Sequence, residues 1–526
     1  MVFVSVFLVV VLLGTLFLYQ AGKLTSEKMR LQNAADAVAF SLSNMEARDL
    51  NFMSYLNRAM VANEVGIAQM VGLVSWAEHV RSVGDFLRLY DRLCCAGPTL
   101  GISTAIIEPI AAGFNTVGST MLNVLRPVAR IAITTLHKIN GLAYGNAQKF
   151  YHYATLLFMF SAIEPLLERN APGAKLSDFG WLAFIGHVVT YADFGVSALS
   201  PFTTSFNPRK RAHVEGYKRF ATITRASRDK FSRQRGWTYG LQIIPRVCIP
   251  LWPVRGCIRM SIGMTRNGGT ELRFVGAPRS AIGRRYNWSA ADLVAAFAEL
   301  WVRIQVNTIF AGWKTVLNRT IKADIPFSAG AAQAGRRIIL SRDMLPGTKL
   351  PSGAYGHAPD YPISWLPVAA KIALPHLNVG RKYNGLPPYS DTTRGPEWGF
   401  AAPYLLVGVV KDVNDARGRR RDVVNRPGGP RAVGRLQLLD PTRANEGADN
   451  ELAVVAKSEV YFKRPTDLSF FRRADGKTEH GSAFNPYWQA RLVDTDYADR
   501  VVSLLLQQKQ VWIPSLSQVT LPSPSP

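Results

Sequence analysis

Few of the residues best able to do chemistry lie close enough in sequence to do it together. The eight histidines are His79, His137, His152, His187, His213, His357, His376 and His480. No two stand four apart, the spacing that would aim a pair from one helix face at a metal. His357 and Asp360, inside GAYGHAPDYP, make the nearest acid–base or metal-ligating combination. Gly, Pro and Asp are also the ingredients of a turn, and a turn is the expectation there. The chain has no Walker-type phosphate loop, no Gly-x-Ser-x-Gly and no His-Glu-x-x-His. The expectation is a chain that is not an enzyme, with no catalytic, cofactor-binding or metal residues and no cofactor.

Cysteine chemistry is equally sparse. Cys94 and Cys95 are adjacent and read as small core residues or separate thiols. Cys248 and Cys257 flank IPLWPVRG, a loop containing Pro and Gly. They read either as a disulfide across that loop, if the domain lies outside the cytoplasm, or as two unrelated buried thiols.

Charge is the third source of chemistry. The formal net charge is +25, which calls for an anionic neighbour such as lipid headgroups, wall polymer or nucleic acid. Residues 209–236 carry ten Lys or Arg against Glu215 and Asp229, interleaved with Tyr217, Phe220 and Phe231. The patch residues are Arg209, Lys210, Arg211, Lys218 and Arg219, joined by Arg419, Arg420 and Arg421 in ARGRRRDVVNRPGGPRAVGR. These stretches read as a solvated connector and an exposed loop, or as docking surfaces for lipid, polymer or protein. No nucleic-acid motif accompanies them, so nucleic acid is an unlikely partner.

The elements that would position these groups begin with a membrane segment. Residues 1–19, MVFVSVFLVVVLLGTLFLY, hold no charged side chain. As a helix they measure about 28 Å, close to the hydrocarbon thickness. Tyr19 sits where an interfacial aromatic belongs. An uncleaved anchor is expected rather than a signal peptide, because LYQAG lacks small residues at both cleavage positions. Lys23, Lys28 and Arg30 follow the span, so charge alone does not fix its orientation.

Between Lys23 and Gly66 there is neither Gly nor Pro. Leu31, Ala34, Ala35, Val38, Leu42 and Met45, then Phe52, Met53, Leu56 and Met60, recur at helical spacing. The anchor is therefore expected to continue as one amphipathic helix. Residues 67–200 stay helical in pattern; 179–199 approach span length but contain His187 and Asp193, which favours a buried helix over a second span. From Trp237 short β-like runs appear, among them GCIRMSI, GTELRFVG, PYLLVGVVKDV, RLQLLD and LAVVAKSEVYFKR. Ser289-Ala-Ala-Asp292 has the pattern of a capping box and predicts a helix through LVAAFAELWVRI. Residues 345–397 read as long loops, and FNPYWQARL (484–492) as a core-closing or partner-binding aromatic segment.

The expected architecture is α+β. An anchor (1–21) leads into a helical stalk and helical domain (22–205), a basic connector (206–236), a mixed, β-rich C-terminal domain (237–515) and a disordered tail (516–526).

The run Arg30-Leu-Gln-Asn-Ala-Ala-Asp-Ala, following an N-terminal span, resembles the start of the TadE/TadG-like pilus-assembly proteins of bacterial tight-adherence (Flp) pilus systems. The resemblance covers about residues 1–45. It implies an inner-membrane protein, single-pass, with the bulk of the chain in the periplasm. It also implies a role in assembling or anchoring a pilus, with other pilus-assembly proteins as partners. The chain lacks the Asp-x-Ser-x-Ser metal motif of large members, and Ser5 stands where pseudopilin-like relatives carry Glu. Asn33, Ala34, Ala35 and Asp36 would form a helix-packing seam, small residues allowing close approach. The second reading, of another class, is an envelope-binding module that docks on anionic wall polymer or lipid through its basic patches.

Overall fold

The structure is a computed structural model of the chain, and it describes residues 2–92, 96–98, 101–193, 211–274, 286–308, 312–335, 377–391, 404–412, 451–465, 481–497, 499 and 501. His357, Asp360, Cys94, Cys95, Arg209, Lys210, the RLQLLD run, the 416–435 segment and the 516–526 tail lie outside the described residues. The architecture is α+β, as expected: a long N-terminal apolar helix, a further helical region, then a sheet-rich C-terminal region.

Helix α1 runs unbroken from Val2 to Tyr90, about 130 Å of helix. The absence of Gly and Pro between Lys23 and Gly66 leaves every backbone N–H of that stretch able to join the ladder. The chain divides into two compact units, and α1 contributes to both.

The first unit comprises Met1–Leu56, Ala147–Pro201 and Ser390–Pro526. Here α1 meets α3 (Gly145–Asn170) and α4 (Asp178–Asp193). It also meets an antiparallel sheet in the order β1 (Lys175–Leu176), β7 (Leu405–Asp412), β8 (Glu451–Phe462), β9 (Trp488–Val493). Leu31, Ala34, Ala35, Val38 and Leu42 pack with Met159, Phe184, Leu405, Val407, Val409 and Val460 in one apolar core. Leu405, Val407 and Val409 occupy alternate positions of β7 and so share the face in this core. A Cβ on Gly180 of α4 would lie 2.2 Å from the Gly408 carbonyl oxygen, so only glycine lets that helix sit on β7. The FNPYWQARL segment closes this core: Phe484 and Trp488 are buried.

The second unit comprises Asn57–Asn146 and Phe202–Tyr389. It holds the remainder of α1, α2 (Ile102–Lys138), a π-helical turn at Ile139–Tyr144, α5 (Arg211–Ala226) and α6 (Lys230–Arg233). Its sheet is ordered β2 (Trp237–Leu251), β3 (Val254–Phe274), β4 (Tyr286–Thr308), β5 (Gly312–Ala334), β6 (Leu377–Gly380). Strands β2–β5 form an antiparallel meander, and β6 joins β5 in parallel.

The helix predicted from Ser289 is not formed; those residues are β4. Trp288 through Val306 pair with β3 on one side and β5 on the other, apart from two bulges on the β5 side. A two-sided ladder and Asp292's engagement with arginines outweigh the helix propensity of Ala, Leu and Glu. Among the described residues only α1 is long and apolar enough to cross a membrane. Helix α4, from the segment expected to be a buried helix or a second span, buries Gly180, Phe184, His187 and Tyr191 along one face.

Candidate functional site

The first part of α1 is built for an apolar solvent. Residues 2–20 touch almost nothing of the chain: Phe3, Phe7 and Phe17 are 85%, 64% and 62% exposed. The two aliphatic hydroxyls of this stretch are satisfied on the helix itself. Ser5 Oγ donates to the Val2 carbonyl (2.8 Å) and Thr15 Oγ1 to that of Leu12 (2.9 Å). Between Val2 and Leu18 each polar side chain is thus bonded within the helix, as crossing hydrocarbon requires, and Tyr19 and Gln20 stand at the end of the apolar run.

Eleven residues beyond Gln20 the character changes. Ala34 and Ala35 are fully buried in the chain's own core, whereas Asn33 is exposed and Asp36 half-buried. The structure therefore splits the expected seam. Ala34 and Ala35 face β7 and β8 within the chain, and Asn33 and Asp36 face outward. Gln32 Nε2 donates to Asp36 Oδ1 (3.0 Å) and to the Val455 carbonyl (3.1 Å). Gln32 and Asp36 line an open cleft of about 570 Å³ with Lys457, Arg491 and Asp494.

Deeper along α1, charge is buried. Glu46 and Asp49 are both fully buried, one turn apart on the helix. His152 Nδ1–H donates to Asp49 Oδ2 (2.6 Å), and Tyr191 Oη–H donates to the same oxygen (3.0 Å). His187 Nε2 faces Glu46 Oε1 while its Nδ1 lies 2.9 Å from the Tyr404 carbonyl. A carbonyl only accepts, so Nδ1 carries a hydrogen, and a second on Nε2 makes the ring an imidazolium beside the Glu46 carboxylate. Burial pushes the His187 pKa down, but the Glu46 charge and both hydrogen bonds outweigh it and leave the pKa raised. Burial and the two carboxylates push the Tyr191 phenol well up, so it stays a donor. No spacing in the sequence ties these histidines to their carboxylate partners. The signal available was Glu46 and Asp49 falling on the same helix face as Leu42 and Met53.

The second unit has its own buried network. Glu64 accepts from Asn140 Nδ2 (3.2 Å), Trp288 Nε1 (2.9 Å) and Tyr383 Oη (2.8 Å). Burial raises its pKa from 4.5 to about 7 against the lowering effect of those three donors. Asp292 receives Arg235 Nε (2.8 Å), Arg266 Nη2 (2.9 Å) and Ser75 Oγ (2.8 Å). Burial would raise the Asp292 pKa, but the two guanidiniums hold it below the usual carboxylate value. His79 Nδ1 meets Ser328 Oγ at 2.7 Å, and burial lowers the His79 pKa to about 4. A Cβ on Gly330 would lie 2.2 Å from the Ser75 carbonyl oxygen, so β5 reaches α1 only through glycine. These groups fasten the inner ends of β4 and β5 to α1. Ser328 is fully buried beside His79.

Of the basic stretch, Lys218 is exposed on α5, while Arg228 and Arg235 are buried in ion pairs with Glu271 and Asp292. Arg219 is half-buried and Arg211 begins α5. Tyr217 and Phe220 point into the core. Cys248 and Cys257 stand opposite each other on β2 and β3, joined as a disulfide. Among the described residues no group of three or more His, Cys, Asp or Glu could hold a metal ion.

The family model for putative Flp pilus-assembly TadE/G-like proteins matches residues 1–41. The matched segment coincides with the free apolar span and the first turns of the buried stripe. No curated protein and no solved structure matches the chain.

Proposed function

We propose that this chain is a membrane-anchored, non-enzymatic structural component of the assembly machinery of a Flp-type pilus. The observation that carries the reading is the TadE/G-like match over residues 1–41. It falls on a helix whose residues 2–20 are almost wholly exposed among the described residues and whose next turns lock into a folded body. Such a helix transmits position rather than chemistry: the span holds the bilayer and the buried stripe fixes the body to the span. The body lies outside the cytoplasm, on the periplasmic side of the inner membrane. A disulfide between Cys248 and Cys257 fits an oxidising compartment. The partners are other pilus-assembly proteins, met through Asn33, Asp36 and the adjoining cleft.

The test is pilus formation in cells carrying Asn33→Leu or Asp36→Leu. Both side chains lie off the apolar core, so the variants keep the wild-type melting temperature and membrane fraction. Loss of surface pili in those variants supports the reading. Pili in normal number would remove the outward-facing seam from it.

A further inference from the structure

Helix α2 has one face taken up by α1. Ala111, Gly118, Leu122, Ala129 and Ile133 are buried there. A Cβ on Gly118 would lie 2.4 Å from the Arg81 backbone, and one on Gly84 of α1 would lie 2.2 Å from the Ala111 carbonyl oxygen. The two helices therefore meet backbone to backbone.

A second stripe runs beside the first and faces outward. Ile107, Phe114, Met121 and Val128 follow one another at intervals of seven, and so do Ile110, Val117, Val124 and Ile131. Together they alternate steps of three and four, the a and d positions of a heptad repeat. All are apolar through three and a half heptads. Ile110, Val117, Val124, Val128 and Ile131 are each half exposed or more, and Phe114 is 40% exposed. Isolated apolar residues on a surface need no account, but an exposed line of them does. Ile102 and Ile106, both exposed, carry the apolar character back to the start of the helix. Thr116, Asn123 and Arg130 lie on a third, exposed side. Pro109 and Pro127 lie within α2 but off the stripe.

We infer that this stripe is the seam along which a second copy of the chain packs its own α2. The period is the first reason. A straight helix drifts about 20° per heptad from a strict seven-residue repeat. An exposed repeat kept over this length stays in register with a helix that carries the same repeat, and the α2 of another copy carries it.

Charge is the second reason. No charged residue stands between Glu108 and Arg126. Those two turn toward α1: Glu108 meets Arg88 (2.7 Å) and Arg126 meets Glu78 (3.2 Å). An uncharged seam can face its own twin without like-charge repulsion, as a two-fold interface requires. A helix lying on anionic lipid instead lines its polar flank with Lys and Arg. Between Glu108 and Arg126 the exposed flank holds Thr116, Thr120 and Asn123.

Area is the third. Helix α2 has 37 residues, about 55 Å, and a strip one helix wide along it offers roughly 600 Å². Two copies would bury roughly 1,200 Å² between them, the lower end of stable interfaces. Copies held in one bilayer, as the anchored reading above has them, meet at raised effective concentration, so an interface of that size suffices.

The test uses the full chain in phosphatidylethanolamine–phosphatidylglycerol vesicles, with a photo-activatable benzophenone side chain in place of Val124 or, as control, of Asn123. The expected result is an adduct of two copies from position 124, at least tenfold stronger than from position 123, with the captured peptide lying within residues 102–138. Val117→Asp in the chain labelled at 124 is expected to lower the adduct at least tenfold, and Thr116→Asp to leave it unchanged. Near-ultraviolet dichroism verifies that both variants fold. Label on lipid alone, capture within the same copy, or equal yields from positions 123 and 124 overturns the inference. The vesicle-bound fraction of the same samples reports the anchor separately, so a missing adduct with binding intact counts against the seam and not against the anchor.

Discussion

His187 and Glu46 lie 141 residues apart in the sequence, yet the imidazole Nε2 faces the carboxylate Oε1 in the interior of the first unit, with the two side chains 3% and 0% exposed. The pair ties α4 to α1 directly beneath the stretch that continues from the membrane span. Its second nitrogen holds the Tyr404 carbonyl at the start of β7. One charged ring thus joins three elements brought together from distant parts of the chain.

Removing either partner leaves a buried charge without its counter-ion, a change that costs about 3–5 kcal/mol. Glu46→Gln and His187→Asn are each expected to destabilise the first unit by that amount in denaturant unfolding. The pH dependence has a defined sign. The folded-state pKa of His187 is raised, so its contribution is complete below the ordinary histidine value of about 6.5 and is lost as pH rises through the folded value. Wild-type unfolding at pH 6 and pH 9 is expected to differ in that direction, and Glu46→Gln to abolish the difference.

In the second unit two buried groups oppose each other. Glu64 titrates at about 7 in the fold instead of 4.5. It favours the folded state below pH 4.5, and that contribution, about 3 kcal/mol, is lost as pH rises toward 7. His79 titrates at about 4 instead of 6.5. Its contribution, of similar size, is complete above pH 6.5 and is lost as pH falls toward 4. Wild-type stability of this unit is therefore expected to be nearly flat between pH 4.5 and 6.5. Glu64→Gln should reveal stability rising with pH over that window, and His79→Gln stability falling. Chemical denaturation in a buffer series measures both, and identical slopes in the two variants would show that the groups do not titrate as assigned.

Ala35 and Asp36 are neighbours with opposite surroundings. Ala35→Leu forces three extra carbons into a packed core and is expected to cost about 1–3 kcal/mol. Asp36→Leu removes one acceptor for Gln32 at the mouth of an open cleft and is expected to change stability by less than about 0.5 kcal/mol. Thermal unfolding of the purified variants separates them. Pilus counts in Asp36→Leu cells then report assembly without a folding defect.

The compartment is checked by thiol state and topology together. Cys248 and Cys257 are nine residues apart, and their closure is expected to stabilise the second unit by about 2–3 kcal/mol. In cells, the peptides carrying Cys248 and Cys257 should gain alkyl mass only after reduction. A C-terminal reporter that works only outside the cytoplasm should be active. Free thiols with an inactive reporter would place the body on the cytoplasmic side.

Much of this architecture is legible in the chain because its signals are local. The span needs only an uninterrupted apolar run, and the buried stripe of Leu31, Ala35, Val38 and Leu42 needs only a period. Strands β7 and β8 were visible in LLVGVV and LAVVAKSEVYF for the same reason. β4 was misread because SAADLVAAFAEL favours a helix residue by residue. The later part, LWVRIQV, alternates with a period of two, but that period has meaning only beside β3 and β5. The buried network escaped for a related reason. Asp49 meets His152 across 103 residues and Glu46 meets His187 across 141, so nothing near either carboxylate announces its partner.

The most direct measurement is the number of surface pili on cells lacking this chain, complemented by the full chain or by a chain whose residues 1–19 are replaced with a cleaved export signal. The account predicts no pili in the deletion, normal pili with the full chain, and none with the unanchored chain even though its folded body accumulates outside the cytoplasm. Normal pili in the deletion strain would contradict it.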